Sequence, residues 1–543
     1  METPGSWFPP ESKESSVKFL PRVVATPRAV VAVAAALAAT AGLLSQSAGA
    51  PAAVQATGLQ QQLDTLLTDA WFTGSQVGLV VRDATTGETL YDRNGSTRLL
   101  PASNTKLFSS TAAMHTLGAG FRFHTDVLAT APVRDGKLRG NLYLKGYGDP
   151  TALESDYVAL AKQIATSGVR RIHGDLIADD TYFDKVRLGD SWAWDDEPFY
   201  DSAQISALTL APNTDYDSGT AIVESLPGAR VGAPVKLKLV PANGVLKLVN
   251  TATTGAAGSS NTLSIERDHG TNIVRVTGSI PANDTLGQEW VTVWEPATYA
   301  ADVFRRALDA EGVRVDGHIR AAATPAGARQ LARDESMTVG ELMNPFLKLS
   351  NNMHAETLVK AMGAVAKANG SWSAGLGVVT DYAKSVGVDT STIRLSDGSG
   401  LSRKVNVTAK SVTDILLAAQ KEPWFQQWYD ALPIAGNPDR FTGGTLRSRM
   451  ANTPAANNLH GKTGSLTGVT ALSGYVSTKD GRKLVFSMIS NNYLVSPRAV
   501  EDAVGVTLAS WSDQAPVAAI KPDTSRSAQT AEEACGNDWV KAC

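Results

Sequence analysis

The chain has 543 residues, 43% of them hydrophobic and 19% charged, with a net charge of −3 at pH 7. That balance is globular, excludes a basic nucleic-acid-binding protein, and at this length suggests about three domains. The two cysteines, Cys535 and Cys543, lie within the last nine residues, which excludes a catalytic thiol or cysteine zinc cluster from the body of the chain.

In chain order, Arg28 precedes an Ala/Val/Leu-rich run that ends at Leu44 and is followed by small residues through Ala48-Gly49-Ala50. The run is short for a membrane span and suits the core of an export signal. Residues 1–52 are therefore expected to be a signal peptide, cleaved after Ala50 or Ala52, or a retained anchor. The protein is expected to be exported, secreted or held at the wall, and to touch membrane only if that segment stays. Leu59, Leu63, Leu66 and Leu67 then mark an amphipathic helix. Strand-like runs Val77–Asp83 and Leu90–Asn94 follow, joined through Thr86-Gly87.

Ser103-Asn-Thr-Lys106 comes next, after Pro101-Ala102 and before Leu107, Ala112, Ala113, Met114 and Leu117 at helical spacing. Ser103 is expected at the start of a helix, with Lys106 on the same face one turn on. From about Thr125 to Arg333 the pattern changes to short alternating runs, among them Val235–Leu239, Val245–Val249 and Ile273–Thr277. A single helix near Ala297–Ala310 interrupts them. Helical patterns at Val339–Leu349 and His354–Ala366 flank Ser350-Asn351-Asn352. Lys462-Thr463-Gly464 then opens two strands, Val469–Val476 and Leu484–Ile489, joined at Lys479-Asp480-Gly481. Ser496-Pro497 starts a last helix ending near Trp511, with Pro497 as its first helical residue.

Helix and hairpin at one end, meander and helix at the other, suggest one domain closed by both ends of the chain: 56–124 with 334–513. Its sheet is expected to be antiparallel, with helices on both faces. The stretch between Ser103 and Ser350 is too long for loops, so 125–333 reads as one or two inserted β-rich domains. Residues 514–543 form a loose tail, where Cys535 and Cys543 are expected to close a small disulfide in an exported protein. The seven histidines lack metal-ligand spacing, so no metal is expected; neither a G-x-S-x-G elbow nor a phosphate loop occurs.

Three of these stretches read as S-x-x-K, S-x-N and K-T-G, in order. Each alone is weak. Ser15-Ser-Val-Lys18 is a decoy for the first, and Ser259-Ser-Asn261 and Ser490-Asn-Asn492 for the second. None of the decoys has the helix-start or between-helices setting. Jointly the motifs point to an active-site serine.

The chain from about residue 56 to 513 resembles the low-molecular-mass class C penicillin-binding proteins, the D-Ala-D-Ala carboxypeptidase/endopeptidases of bacterial cell walls. The resemblance rests on Pro-Ala-Ser103-Asn-Thr-Lys106, Lys-Gly-Tyr-Gly-Asp-Pro150, Leu-Ser350-Asn-Asn352, Asp397-Gly-Ser-Gly-Leu-Ser-Arg403 and His460-Gly-Lys-Thr-Gly464. The long insertion after the serine helix is its most discriminating point. It implies an α/β (α+β) fold of the β-lactamase/transpeptidase type: an antiparallel sheet flanked by helices, with inserted β-rich domains. It implies peptidoglycan stem peptides as substrates, β-lactams as inhibitors, and no cofactor.

By that resemblance Ser103 attacks the carbonyl between two D-alanines and forms an acyl-enzyme. Ser350 relays a proton to the departing D-alanine, Asn352 orients the substrate amide, and Lys462 and Thr463 hold the terminal carboxylate. The backbone N–H groups of Ser103 and Ser465 form the oxyanion hole, and Gly464 leaves room for a ligand along the strand. A side pocket for the charged end of a diaminopimelyl stem is implied, matched by Arg403 and Thr467. Trp192, Asp195 and Tyr200 of the insertion are its further candidates, with Trp194 and Asp196 as alternatives in the same stretch.

Lys106 can act as base only when neutral, and near the free pKa of 10.4 only about 0.04% is neutral at pH 7. Burial and a second cation, for which Lys462 is the candidate, would favour the neutral amine. Two rival readings are a serine β-lactamase on the same scaffold and a catalytically idle wall-binding or scaffolding protein.

Overall fold

The computed structural model describes residues 58–512 and 520–522. The expected export segment, Cys535 and Cys543 lie outside the described residues. Five antiparallel strands form the central sheet, in the order Thr89–Arg93, Gln76–Asp83, Lys483–Asn491, Val469–Ser477, His460–Leu466. The early hairpin and the late meander thus meet in one sheet, with Gln76 opposite Asn491 and Val80 opposite Ser487.

Alternation along Lys483–Asn491 explains why helices cover both faces. Leu484, Phe486 and Met488 pack with Leu59, Leu63 and Leu66 of the helix Gly58–Leu67 and with Val500, Val504 and Leu508 of the helix Arg498–Ser510. Val485 and Ile489 face the other way, into a core with Leu107 and Phe108 of the serine helix and Ile415 and Leu416 of the helix Ala409–Ala419. Each such side chain taken fully out of water contributes about 1.5–3 kcal/mol. Pro497 sits at the N-cap of the last helix rather than at its first turn.

The chain leaves this domain along Arg122–Ala129 and returns along Arg329–Thr338, strands that pair antiparallel with Thr125 opposite Asp334. The residues between them build a hydrophobic core of their own, from Val127 to Ala332. Their sheets mix antiparallel with parallel pairs, such as Leu142–Gly146 beside Leu176–Asp179. Two helices, not one, lie in this stretch: Pro296–Ala310 and also Glu154–Thr166. The second buries Tyr157, Leu160, Ala161 and Ile164, a helical face whose small alanine weakens its sequence signal.

One part of the insertion belongs to the other core. Phe183, Ala203, Ile205 and Ala207 pack with the helices Asn352–Lys367 and Trp372–Ser385, so the segment between them lies against the motif-bearing helices.

Candidate active site

Ser103 sits on a 3₁₀ turn, Ala102–Thr105, that runs directly into the helix Lys106–Thr116. Three residues per turn eclipse positions i and i+3, which aligns Ser103 with Lys106 more closely than an α-helical start would. Lys106 Nζ lies 2.8 Å from Ser103 Oγ, 2.7 Å from Asn352 Oδ1 and 3.1 Å from the Ser399 carbonyl, with no exposed surface.

Ala102 takes a left-handed φ of +48°. Two glycines make room for it. A Cβ on Gly464 would lie 2.5 Å from the Pro101 carbonyl, and one on Gly400 would overlap the Ala102 carbonyl. Gly464 therefore lets the K-T-G strand, His460–Leu466, approach the serine turn closely. Beneath the turn, buried Asn104 donates from Nδ2 to Ser473 Oγ at 2.7 Å, and Ser473 bonds Ser487 at 2.8 Å.

Ser350 also has positive φ, +58°, held at the end of the helix Val339–Lys348. Its Oγ accepts from Lys462 Nζ at 2.8 Å, while the same amine donates to the Thr463 carbonyl at 2.9 Å. Asn351 caps the next helix and donates to the Tyr216 carbonyl at 3.1 Å and Asp217 Oδ1 at 2.9 Å. Asn352 opens that helix and donates from Nδ2 to the Asp201 carbonyl at 2.9 Å. The insertion thus fixes both asparagines of the motif. Ser465 follows Gly464 on the edge strand, its Oγ 3.5 Å from Arg498 Nη2.

Burial pushes the Lys106 amine down to about 7, against the opposing pull of Glu356, Asp397 and Asp201. Of the two causes expected, burial and Lys462, burial is the one that acts on Lys106. The repulsion between the two amines adds to burial in holding Lys462 well below the usual lysine range. A neutral Lys106 has two N–H bonds and one lone pair. Asn352 Oδ1 and the Ser399 carbonyl only accept, so they take the two protons, and the lone pair is left for the Ser103 hydroxyl.

The Asp397-Gly-Ser-Gly400 loop is held by two buried carboxylates. Glu356 accepts from the Gly398 and Ser399 amides and from Trp372 Nε1; Asp397 accepts from the Gly400 and Ser402 amides. Burial raises both carboxyls. Asp201, raised to about 6 chiefly by burial, brings a third acid from the insertion. Among the described residues no cluster of His, Cys, Asp or Glu is placed to hold a metal ion.

The profile of the D-Ala-D-Ala carboxypeptidase 3 (S13) family matches residues 59–514. The chain belongs to that family. A D-alanyl-D-alanine carboxypeptidase of an Actinomadura species is 44% identical over 495 residues, covering 90% of each chain. The D-alanyl-D-alanine carboxypeptidase DacB of Haemophilus influenzae is 27% identical over 424 residues, 77% of this chain and 86% of its own. The crystal structure of penicillin binding protein 4 (dacB) from Haemophilus influenzae superposes with a TM-score of 0.72 at 26% identity, covering 82% of this chain and 98% of that one. A complex of that protein with a β-lactam gives 0.66 at 25% identity, over 82% of this chain and 98% of its own. The protein is a serine-type carboxypeptidase of this S13 family.

On this S13 scaffold Arg403 and Thr467 come together, Arg403 Nη1 donating to the Thr467 carbonyl at 3.0 Å. The acidic–aromatic loop is arranged differently from expectation. Trp192 donates from Nε1 to Asp397 Oδ2 at 3.0 Å and packs edge-on against Trp372, so its indole braces the Asp397 loop. Asp195 is exposed, whereas the half-buried Asp196 carboxyl is raised by burial and by the Asp195 charge, with Arg403 pulling the other way. Exposed Trp194 lies over His269 with ring centroids 4.8 Å apart. Tyr200 opens the short turn Tyr200–Ser202, whose Asp201 carbonyl meets Asn352.

Glu356 and Asp201 escaped the sequence reading, and Ser399 was read only as part of the Asp397–Arg403 motif, without a role. For Glu356 a signal existed: Asn352, Glu356 and Lys360 recur every fourth residue on a helix whose neighbours are apolar and buried. A charged stripe on a buried face marks a functional or ion-paired site. Ser399 acts through its backbone, which its side chain does not reveal, and Asp201 arrives from a distant loop with no local pattern.

Proposed function

We propose that the protein removes the terminal D-alanine from peptidoglycan stem peptides through an acyl-enzyme on Ser103, and that β-lactams block it by acylating the same oxygen. The Lys106 lone pair, aimed at Ser103 Oγ by two pure acceptors, is the observation that carries this. Lys106 takes the Ser103 proton as the oxygen attacks the carbonyl carbon. The tetrahedral oxyanion is held by the Ser103 and Ser465 amides. The proton then passes through Ser350, hydrogen-bonded to Lys462, to the leaving D-alanine nitrogen. Thr463 holds the terminal carboxylate. Water attacks the ester, Lys106 again serving as base, and Ser103 is regenerated. An amine in place of water gives transpeptidation, and a crosslinked peptide in place of the pentapeptide gives endopeptidase cleavage, both at the same serine. A long-lived penicilloyl-enzyme separates this reading from a β-lactamase, which releases it within seconds.

The pH dependence follows from the base. Below about 7 Lys106 is protonated and has no lone pair, so acylation by benzylpenicillin is expected to fall about tenfold per pH unit; above it the rate levels off. Rate constants measured from acid to alkaline pH check this. A limb near the free lysine value, or a flat profile, would show a different base.

The side pocket is read as a site for the zwitterionic end of diaminopimelate, supported by the Arg403–Thr467 hydrogen bond and by the Arg403 charge acting on Asp196, with Asp195 and Tyr200 as further candidates. A charge-assisted hydrogen bond desolvated by the substrate is worth about 1.5–3 kcal/mol, roughly 10–150-fold. Arg403→Ala is expected to lower kcat/KM by that factor for a peptide with a free diaminopimelyl end and to change benzylpenicillin acylation much less. Equal losses on both would assign Arg403 to the catalytic loop instead. The substrate lies outside the cytoplasm, so the Arg28–Leu44 segment is read as the export signal. Fractionation of cells expressing the full chain tests that.

A further inference from the structure

Thr445 stands where two motif-bearing elements meet. It lies on the turn Gly444–Leu446. Gly444 has φ +56° and ψ −133°, and a Cβ there would fall 2.5 Å from the Lys348 carbonyl. Only glycine lets the turn sit this close to the end of the helix that leads into Ser350. Toward the K-T-G strand, Thr445 Oγ1 is 2.7 Å from Thr463 Oγ1, and in the bare pair either oxygen can donate.

We propose that Thr445 is a positioning residue for recognition of the substrate's terminal carboxylate, its hydroxyl donating to Thr463 Oγ1 so that the Thr463 proton is committed to the carboxylate. This rests on the reading of Thr463 as a carboxylate ligand. A hydroxyl carries one proton, and a carboxylate only accepts. Once a carboxylate lies against Thr463, the Thr463 proton goes to it, and its oxygen can meet Thr445 only as an acceptor. The order Thr445 to Thr463 to carboxylate is the one that satisfies all three groups, and each bond in such a chain polarises the next. The Thr463 backbone is held separately, because Lys462 Nζ donates to its carbonyl. Thr445 therefore fixes the remaining freedom, the direction of the Thr463 hydroxyl.

Valine matches threonine in shape and lacks the donor, whereas serine keeps it. The test compares wild type, Thr445→Val, Thr445→Ser and Thr463→Val in acylation by benzylpenicillin and by its methyl ester, which differ only at the carboxylate. Thr445→Val is expected to slow the free acid roughly 3- to 10-fold, the size of one neutral hydrogen bond, with the ester within about twofold of wild type. Thr445→Ser should restore the free-acid rate. Equal losses on acid and ester, no loss on the acid, or a serine variant that fails to rescue would each overturn the proposal. Thr463→Val separates the two levels. If it leaves the preference for the acid intact, the carboxylate reading of Thr463 falls and takes this inference with it. If it removes the preference while Thr445→Val does not, only the role of Thr445 is lost.

Discussion

Replacing Ser103 with alanine is expected to abolish covalent labelling by penicillin altogether while leaving the protein folded. The change removes one hydroxyl from a turn held elsewhere by Asn104, Gly400 and Gly464, so the backbone at 102–105 has no reason to move. Lys106 keeps its two acceptors, Asn352 Oδ1 and the Ser399 carbonyl. Among the described residues the other serine whose hydroxyl meets a buried lysine amine at the site is Ser350, whose oxygen accepts from Lys462, an amine that also donates to a carbonyl. Gel fluorescence with a labelled penicillin reads the loss, and thermal melting reads the fold. Labelling that persists and maps to Ser350 or any other serine would move the nucleophile.

Lys106→Ala is expected to slow acylation by about a thousandfold, the range for losing a general base together with the contact that orients the nucleophile. The same change should remove the acid limb near pH 7, because the group that titrates there is gone. Its effect on the fold is larger than that of Ser103→Ala: Asn352 Oδ1 and the Ser399 carbonyl lose their donor, and the buried amine beside Glu356, Asp397 and Asp201 is gone. Lys106→Met, which fills most of the space without a base, separates lost packing from lost chemistry. Acylation within tenfold of wild type in both variants would show that another residue activates Ser103.

The order of elements around the three motifs was legible because it follows from strong local signals. Leu59, Leu63, Leu66 and Leu67 mark one helix, and the alternating runs after Lys462 mark the meander; both appear where periodicity puts them. The Lys106–Ser103 contact was legible as a motif, whereas the Lys462–Ser350 contact came from the fold. So did the charges that Lys106 sees. The three carboxylates come from a helix, a loop and the insertion, positions that only the tertiary fold brings together, and Glu356 and Asp397 are fully buried against the usual preference of acids for water. The same limit applies to Trp192. Its acidic neighbours suggested a ligand wall, but Trp192 packs against the catalytic core, and its indole bonds Asp397. The second inserted helix was missed for a plainer reason, a buried face with too little bulk to stand out.

Incubation of the purified protein with a stem pentapeptide ending in D-Ala-D-Ala, with mass spectrometry of both products and acid-quenched enzyme, tests the Ser103 chemistry most directly. Free D-alanine and the shortened peptide should accumulate, and the quenched enzyme should carry the peptidyl group as an ester on Ser103. An uncut pentapeptide, or an acyl group on any residue other than Ser103, would contradict it.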